Sequence, residues 1–95
     1  MAEVEKYLMA RETYLRPKIL VVDDSSTVRQ GIKRLLSGDY DVTLVPSGAA
    51  AIRSIILDKP DLVLLDYEMP VCDGSQVLEM IRAEENFADI PVIIF

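Results

Sequence analysis

The sequence predicts an α/β domain with a doubly wound parallel sheet whose strand order is 2-1-3-4. Two observations support this fold class. From Lys18 onward, short apolar runs rich in β-branched residues alternate with segments of helical period. Three of these runs, KILVV, DLVLL and PVIIF, are apolar at consecutive positions, which is typical of parallel strands covered by helices on both faces.

Four strands are predicted from these runs. The second of them, DVTLV, is mixed in polarity and therefore suits an edge of the sheet. Right-handed crossovers commonly place the first strand between the second and the third. The predicted strands comprise residues 19–23, 42–45, 62–66 and 92–95.

Three helices are predicted between the strands. Ser25 or Ser26 can cap the first, and Gly38 is placed to end it. Ser47 can cap the second, and Ser75 opens the third. The apolar positions expected to form the core are Val28, Ile32, Leu35 and Leu36 in the first helix, Ala51, Ile52, Ile55 and Ile56 in the second, and Val77, Leu78 and Ile81 in the third, with Met69 and Met80.

Residues 1–17 are assigned to an N-terminal helical extension or linker, and residues 18–95 to the domain. Apolar residues on one side of a possible helix support the extension, namely Val4, Tyr7, Leu8, Tyr14 and Leu15. The simpler interpretation is an appended helix that packs weakly on the domain. The alternative is a signalling linker or a dimerising helix.

Composition narrows the classes of function. The formal net charge is −6, without a Lys/Arg run, which argues against nucleic acid as a partner of this segment. No apolar run approaches the ~20 residues that span a bilayer, and the first residues do not resemble a signal peptide, so we expect a cytoplasmic chain without membrane contact. Cys72 is the only cysteine and histidine is absent, which excludes an internal disulfide and histidine-based catalysis and argues against zinc.

Carboxylates follow two strands that the predicted topology makes neighbours. The first strand ends in VVDDS and the third in LLDYE, so Asp23, Asp24 and Asp66 should converge at the carboxyl edge of the sheet, where such folds bind ligands. One aspartate after a strand is usually a helix cap or turn former. Two aspartates after one strand and a third after its neighbour are a more specific pattern.

Three converging carboxylates repel one another unless a cation neutralises them. Oxygen ligands of this kind suit Mg²⁺, which keeps part of its water shell and often shares it with a phosphate. An aspartate oxygen left free could then attack phosphorus. The pattern therefore makes acyl phosphate chemistry plausible.

Three segments, ILVVDDSSTVRQGIKRLL, PDLVLLDYEMPVCDGSQVLEMIR and IPVIIF, resemble the receiver domain of two-component response regulators, a flavodoxin-like module. The resemblance covers residues 18–95. It implies that Asp66 accepts a phosphoryl group from a sensor histidine kinase or phosphotransfer protein, with Mg²⁺ as cofactor. Asp24 would bind the metal directly, Asp23 largely through water, and Glu68 through its backbone carbonyl.

Smaller features of the same segments have local explanations. Pro70 fixes a turn, and Gly74 is expected to permit a positive φ before the third helix. Cys72 is interpreted as a passive small residue, because no basic neighbour lowers the pKa of its thiol.

The family pattern continues beyond the fourth strand with a Ser or Thr, a fifth strand ending in Lys, and further helices. Because the 95-residue sequence stops at Phe95, we expect a partial receiver domain with impaired phosphotransfer and switching. Its fourth strand would be an open apolar edge and the monomer poorly stable. Either the sequence is a fragment of a longer regulator, or it forms a homodimer or exchanges segments through that edge.

Two other functions remain open. A pseudo-receiver would use the fold for protein contacts without phosphorylation. An aspartate-based phosphohydrolase would use Asp66 as nucleophile and Glu68 as general acid, a spacing that resembles the haloacid dehalogenase motif. The leading hypothesis is a phosphoacceptor that assists its own phosphotransfer and is not an enzyme with small-molecule turnover.

Overall fold

A computed structural model describes residues 16–71 and 73–95 of the chain. The apolar positions of the predicted N-terminal helix, and Cys72, lie outside the described residues.

Strands and helices alternate in the predicted order. The elements are β1 Lys18–Val22, α1 Ser26–Leu36, β2 Asp41–Val45, α2 Gly48–Leu57, β3 Leu62–Leu65, α3 Gly74–Ala83, a 3₁₀ turn at Glu85–Phe87, and β4 Val92–Ile94. The first, third and fourth strands end one residue before their predicted ends. The aspartates at 23 and 66 therefore lie just outside the strands.

All four strands are parallel, and the sheet order is β2-β1-β3-β4, which confirms the predicted fold class. In the register, Val22 lies opposite Val45 on one side and Leu65 on the other. Because these three strands end level, the residues that follow them meet at one edge of the sheet.

One face of the sheet carries the main hydrophobic core. Leu20 and Val22 of β1 pack there with Ile55 of α2 and with Val77 and Ile81 of α3. All five side chains are buried. The alternation of β1 directs these residues to the face that α2 and α3 cover.

The opposite face is covered by α1, as right-handed crossovers require, and this cover is partial. No residue of α1 is buried, and Leu35 is 83% exposed. The prediction that the core includes four further apolar side chains is therefore wrong, since all four are exposed, namely Val28, Leu35, Ile56 and Met80.

The predicted caps of α1 and α2 are present. Ser25 accepts a hydrogen bond from Val28 N–H (3.3 Å), and Ser47 accepts one from Ala50 N–H (3.1 Å). The C-cap of α1 is Ser37. Gly38 follows this cap directly, and no described glycine has a positive φ, so the helix ends without a left-handed glycine.

The predicted start of α3 needs a correction, because its N-cap is Asp73. Asp73 Oδ1 accepts a hydrogen bond from Gln76 N–H (3.0 Å), and Gln76 Oε1 accepts one from Asp73 N–H (2.9 Å). These two bonds form a capping box. Ser75 Oγ donates to Asp73 Oδ1 (2.7 Å) and thus supports the cap without being the cap.

None of the helices within residues 16–71 and 73–95 combines the length and the hydrophobicity needed to cross a membrane.

Candidate functional site

Asp23, Asp24 and Asp66 come together at the carboxyl edge of the sheet, as the sequence predicts. One carboxylate oxygen from each lies within 4.8 Å of the other two. Asp23 is buried, Asp66 is half-buried and Asp24 is exposed. The cluster therefore has a closed side, formed by Asp23, and a side open to solvent.

Asp23 is held by hydrogen bonds to its main chain and its side chain. Its N–H donates to Val45 O (3.2 Å) and its Oδ1 accepts from Ser25 N–H (2.8 Å). Its carbonyl oxygen accepts from Arg29 Nη1 (2.6 Å). These contacts leave the other carboxylate oxygen of Asp23 for the cluster.

Burial raises the pKa of the Asp23 carboxyl. The hydrogen bond from Ser25 N–H opposes this increase, and the negative charges of Asp66 and Asp24 add to it. Without a bound metal, these surroundings make protonation of Asp23 more favourable than protonation of an aspartate in water. A bound cation would favour the ionised form.

Asp66 is held in a similar way at the end of β3. Its N–H donates to Val22 O (2.9 Å), and its Oδ1 accepts from Glu68 N–H (3.1 Å). The second bond closes a local turn like the one between Asp23 and Ser25. A metal contact through the Glu68 carbonyl oxygen stays a prediction of the resemblance.

Gly74 lies directly behind the end of β3. A Cβ atom at this position would lie 2.7 Å from Asp66 O and 2.9 Å from Tyr67 Cα. Gly74 N–H donates to Tyr67 O (2.9 Å). The expected positive φ is absent, so glycine is needed here because the two backbones approach closely.

Two lysines of the described residues form ion pairs away from the cluster. Lys18 pairs with Asp58 (2.6 Å) and Lys59 with Asp89 (3.1 Å). The hydrogen bond that Lys18 Nζ donates to Asp58 raises the pKa of Lys18. Lys18 begins β1, so it lies at the opposite edge of the sheet from the aspartates.

The residues present fit Mg²⁺. The donors are carboxylate oxygens, which this hard cation prefers, and the exposed side of the cluster leaves room for water ligands. Burial, and after it the charges of Asp66 and Asp24, raises the pKa of Asp23, and a cation bound beside these carboxylates would offset their mutual repulsion.

The sequence analysis missed one residue of this site, Arg29. Its guanidinium reaches back from α1 to the loop that carries two of the three carboxylates. A basic residue in the second turn of a helix that directly follows an acidic loop is the signal that could have identified it.

The fold and the carboxylate site together define a signalling receiver module. Residues 19–95 match the family described as the response regulator receiver domain, and the chain belongs to this family.

Curated relatives and solved structures agree with this membership. The chain is 42% identical over 80 residues to the transcriptional regulatory protein PrrA of Mycobacterium bovis, covering 82% of this chain and 33% of that protein. It is 35% identical over 79 residues to the sensor histidine kinase TmoS of Ectopseudomonas mendocina, covering 83% and 8%.

Among solved structures, the N-terminal domain of a response regulator receiver protein from Methanoculleus marisnigri JR1 is similar, with a TM-score of 0.80 and 37% identity. The match covers 82% of this chain and 64% of that one. The chain thus spans less than two thirds of each of these three proteins, a third of PrrA and less than a tenth of TmoS.

Proposed function

We propose that this chain is a phosphoacceptor that receives a phosphoryl group on Asp66 from a phosphohistidine of a sensor histidine kinase or phosphotransfer protein. Asp23, Asp24 and Asp66, with the Glu68 carbonyl, would hold Mg²⁺. The observation that carries the proposal is the grouping of the three carboxylates within 4.8 Å at the end of β1 and β3.

Asp66 is suited to act as the nucleophile because its two oxygens have different surroundings. Oδ1 is held by Glu68 N–H, which leaves the other oxygen to attack phosphorus. A P–O bond forms as the P–N bond to the donor imidazole breaks. The electron pair of the broken bond stays on the imidazole nitrogen, which then takes up a proton. When bound, Mg²⁺ offsets the negative charge of the phosphoryl oxygens.

The test is the intact mass of the purified chain after incubation with a small-molecule acyl phosphate, with and without Mg²⁺. We expect a metal-dependent gain of one phosphoryl group in the wild type and none in Asp66→Asn. Asp61→Asn is the matched control, because Asp61 lies at the opposite end of β3 and accepts a hydrogen bond from Lys18 N–H there. A folded wild type that gains no mass would contradict the acceptor role.

A pseudo-receiver or a phosphohydrolase would give different results. A pseudo-receiver would show no effect of Mg²⁺ on its stability, whereas the carboxylate cluster supports such an effect. A phosphohydrolase would turn over a phosphomonoester and lose that turnover in Glu68→Gln. The proposal also includes the location and the kind of partner: the transfer takes place in the cytoplasm, and the partners are proteins, which a net charge of −6 favours over nucleic acid.

A further inference from the structure

We propose that Arg29 is a positioning residue of the carboxylate site, which fixes the peptide group between Asp23 and Asp24 in the orientation that binds Mg²⁺. This inference rests on the proposed function. It gives Arg29, which lies outside the carboxylate cluster, a structural role in the metal site.

The contact that carries the inference is specific. Arg29 Nη1 lies 2.6 Å from the carbonyl oxygen of Asp23, six residues earlier in the chain, and the bond is partly buried. The guanidinium is always charged, and a charged donor makes a shorter and stronger hydrogen bond than a neutral one. Within the described residues, this carbonyl is the one hydrogen-bond acceptor of the Arg29 side chain.

The accepting oxygen belongs to the peptide group that joins Asp23 to Asp24. Because this group is planar, rotation about the Cα–C bond of Asp23 would swing Asp24 and its side chain relative to the Asp23 side chain. The Asp23 side chain is held separately, because its Oδ1 accepts a hydrogen bond from Ser25 N–H. Within the described residues, the Asp24 side chain makes no hydrogen bond, so its position depends on the backbone that Arg29 holds.

The hydrogen bond from Arg29 is needed because the three carboxylates repel one another. The three carboxylates lie within 4.8 Å of one another, and like charges at that distance favour separation. Asp24, exposed and in a loop, can move away most easily. Arg29 opposes this movement before a metal arrives and therefore preorganises the site.

The test is a titration of the full 95-residue chain with Mn²⁺, followed by the paramagnetic resonance signal of free Mn²⁺, with Mg²⁺ as competitor. We expect Arg29→Ala to weaken binding of both metals about tenfold or more, the usual effect of losing a supporting contact to a metal ligand. Arg29→Lys should recover part of the affinity, since an ammonium group can donate to the same carbonyl. Urea unfolding without metal would show that the variants are folded.

Arg34→Ala is the matched control. Arg34 is exposed on the same helix, and its replacement removes the same charge. Equal affinities of Arg29→Ala and wild type would overturn the positioning role, and so would an equal loss in Arg34→Ala, which would indicate a general charge effect. If Arg29→Ala fails to fold, Arg29→Lys takes its place: its affinity should lie between those of wild type and of a mutant of the cluster itself, Asp24→Asn, and an affinity equal to that of wild type would overturn the positioning role. A wild type that binds no metal would instead remove the proposed function on which the inference rests.

Discussion

Asp23 shows how a residue suited to a metal site can weaken the fold when the metal is absent. Its side chain is 3% exposed, and burial, with the charges of Asp66 and Asp24, raises its pKa above the ordinary value of 3.8. The folded state therefore binds this proton more tightly than the unfolded state does. The resulting contribution to stability is fully present below the unfolded pKa and is lost as the pH rises through the raised folded value.

Asp23→Asn should consequently stabilise the metal-free chain near neutral pH, by about 1 kcal/mol. Asparagine keeps an oxygen for Ser25 N–H and removes the buried charge. The gain should disappear below the unfolded pKa of about 3.8, where the wild-type carboxyl is protonated in both states. Urea unfolding with a chelator over a series of pH values measures this difference.

Asp39→Asn is the control for that experiment, because it removes one negative charge at an exposed position. If Asp23→Asn and Asp39→Asn have equal effects at neutral pH, relief of net charge and not relief of buried charge is responsible. In excess Mg²⁺ the order should reverse, since the wild type gains binding energy that Asp23→Asn loses in part.

At the scale of single residues, the sequence predicts the three carboxylates but not Arg29, which bonds to the backbone beside two of them. Asp23, Asp24 and Asp66 could be grouped because parallel strands carry their following residues to a shared edge. The contact of Arg29 with Asp23 O depends on the exact path of the loop from β1 to α1. No periodic pattern encodes that path, so a long side chain that reaches back to a carbonyl is hard to predict.

The start of α3 shows how one helix supports the site. Its capping box places Asp73 and Gln76 at the first turn, and Gly74 follows the cap with its N–H bonded to Tyr67 O. The first turn of the helix therefore rests against the backbone of Asp66, the proposed phosphoacceptor. A change in the packing of the first turn of α3 against this backbone should therefore shift Asp66.

Gly74→Ala should destabilise the chain by about 1–3 kcal/mol, the usual range for overpacking a closed site. The added Cβ would lie 2.7 Å from Asp66 O, so the backbone that carries the proposed nucleophile must shift. The same variant should take up a phosphoryl group more slowly than wild type. Urea unfolding and the intact-mass assay measure the two effects.

Gly31→Ala provides the matched comparison. Gly31 lies within α1, and a Cβ atom there would meet no atom within 4 Å. Alanine should therefore stabilise this helix by roughly 0.5–1 kcal/mol. A Gly74→Ala chain as stable and as reactive as Gly31→Ala would show that the close approach behind Asp66 is not needed.

The elements themselves follow well from the sequence, and their ends follow less well. The strands were predictable because apolar runs on both faces are distinctive. The cap of α3 was assigned to Ser75 instead of Asp73, because Ser and Asp are equivalent as sequence signals for a cap. The sequence explains Gly74 by a positive φ, whereas the structure explains it by the close approach of two backbones. Such an approach leaves no signal in the local sequence.

For the whole molecule, the order β2-β1-β3-β4 could be derived because right-handed crossovers leave few topologies. The extent of burial on each face of the sheet could not be derived from the sequence. The core lies on the face covered by α2 and α3, while among the described elements α1 covers the other face and has no buried residue. Periodicity shows which side of a helix is apolar but not how much of the sheet it covers.

The open edge of the sheet leads to the last prediction, which concerns the 95-residue polypeptide. On either side of β4, the main chain of Pro91 and Phe95 bonds to residues in and just after β3, namely Val63, Leu65 and Tyr67. The main-chain groups of Val92 and Ile94 therefore point away from β3. The Ile93 side chain beside them is 53% exposed. An apolar strand edge of this kind favours pairing with another chain.

We therefore expect sedimentation to show self-association of this polypeptide that increases with concentration. Ile93→Lys should weaken the association at least tenfold, because a lysine on the edge strand disfavours pairing. Leu57→Lys, at an exposed position at the end of α2, should leave it unchanged. A stable monomer at all concentrations would show that the exposed edge does not drive association, and equal effects of the two substitutions would place the contact elsewhere on the surface.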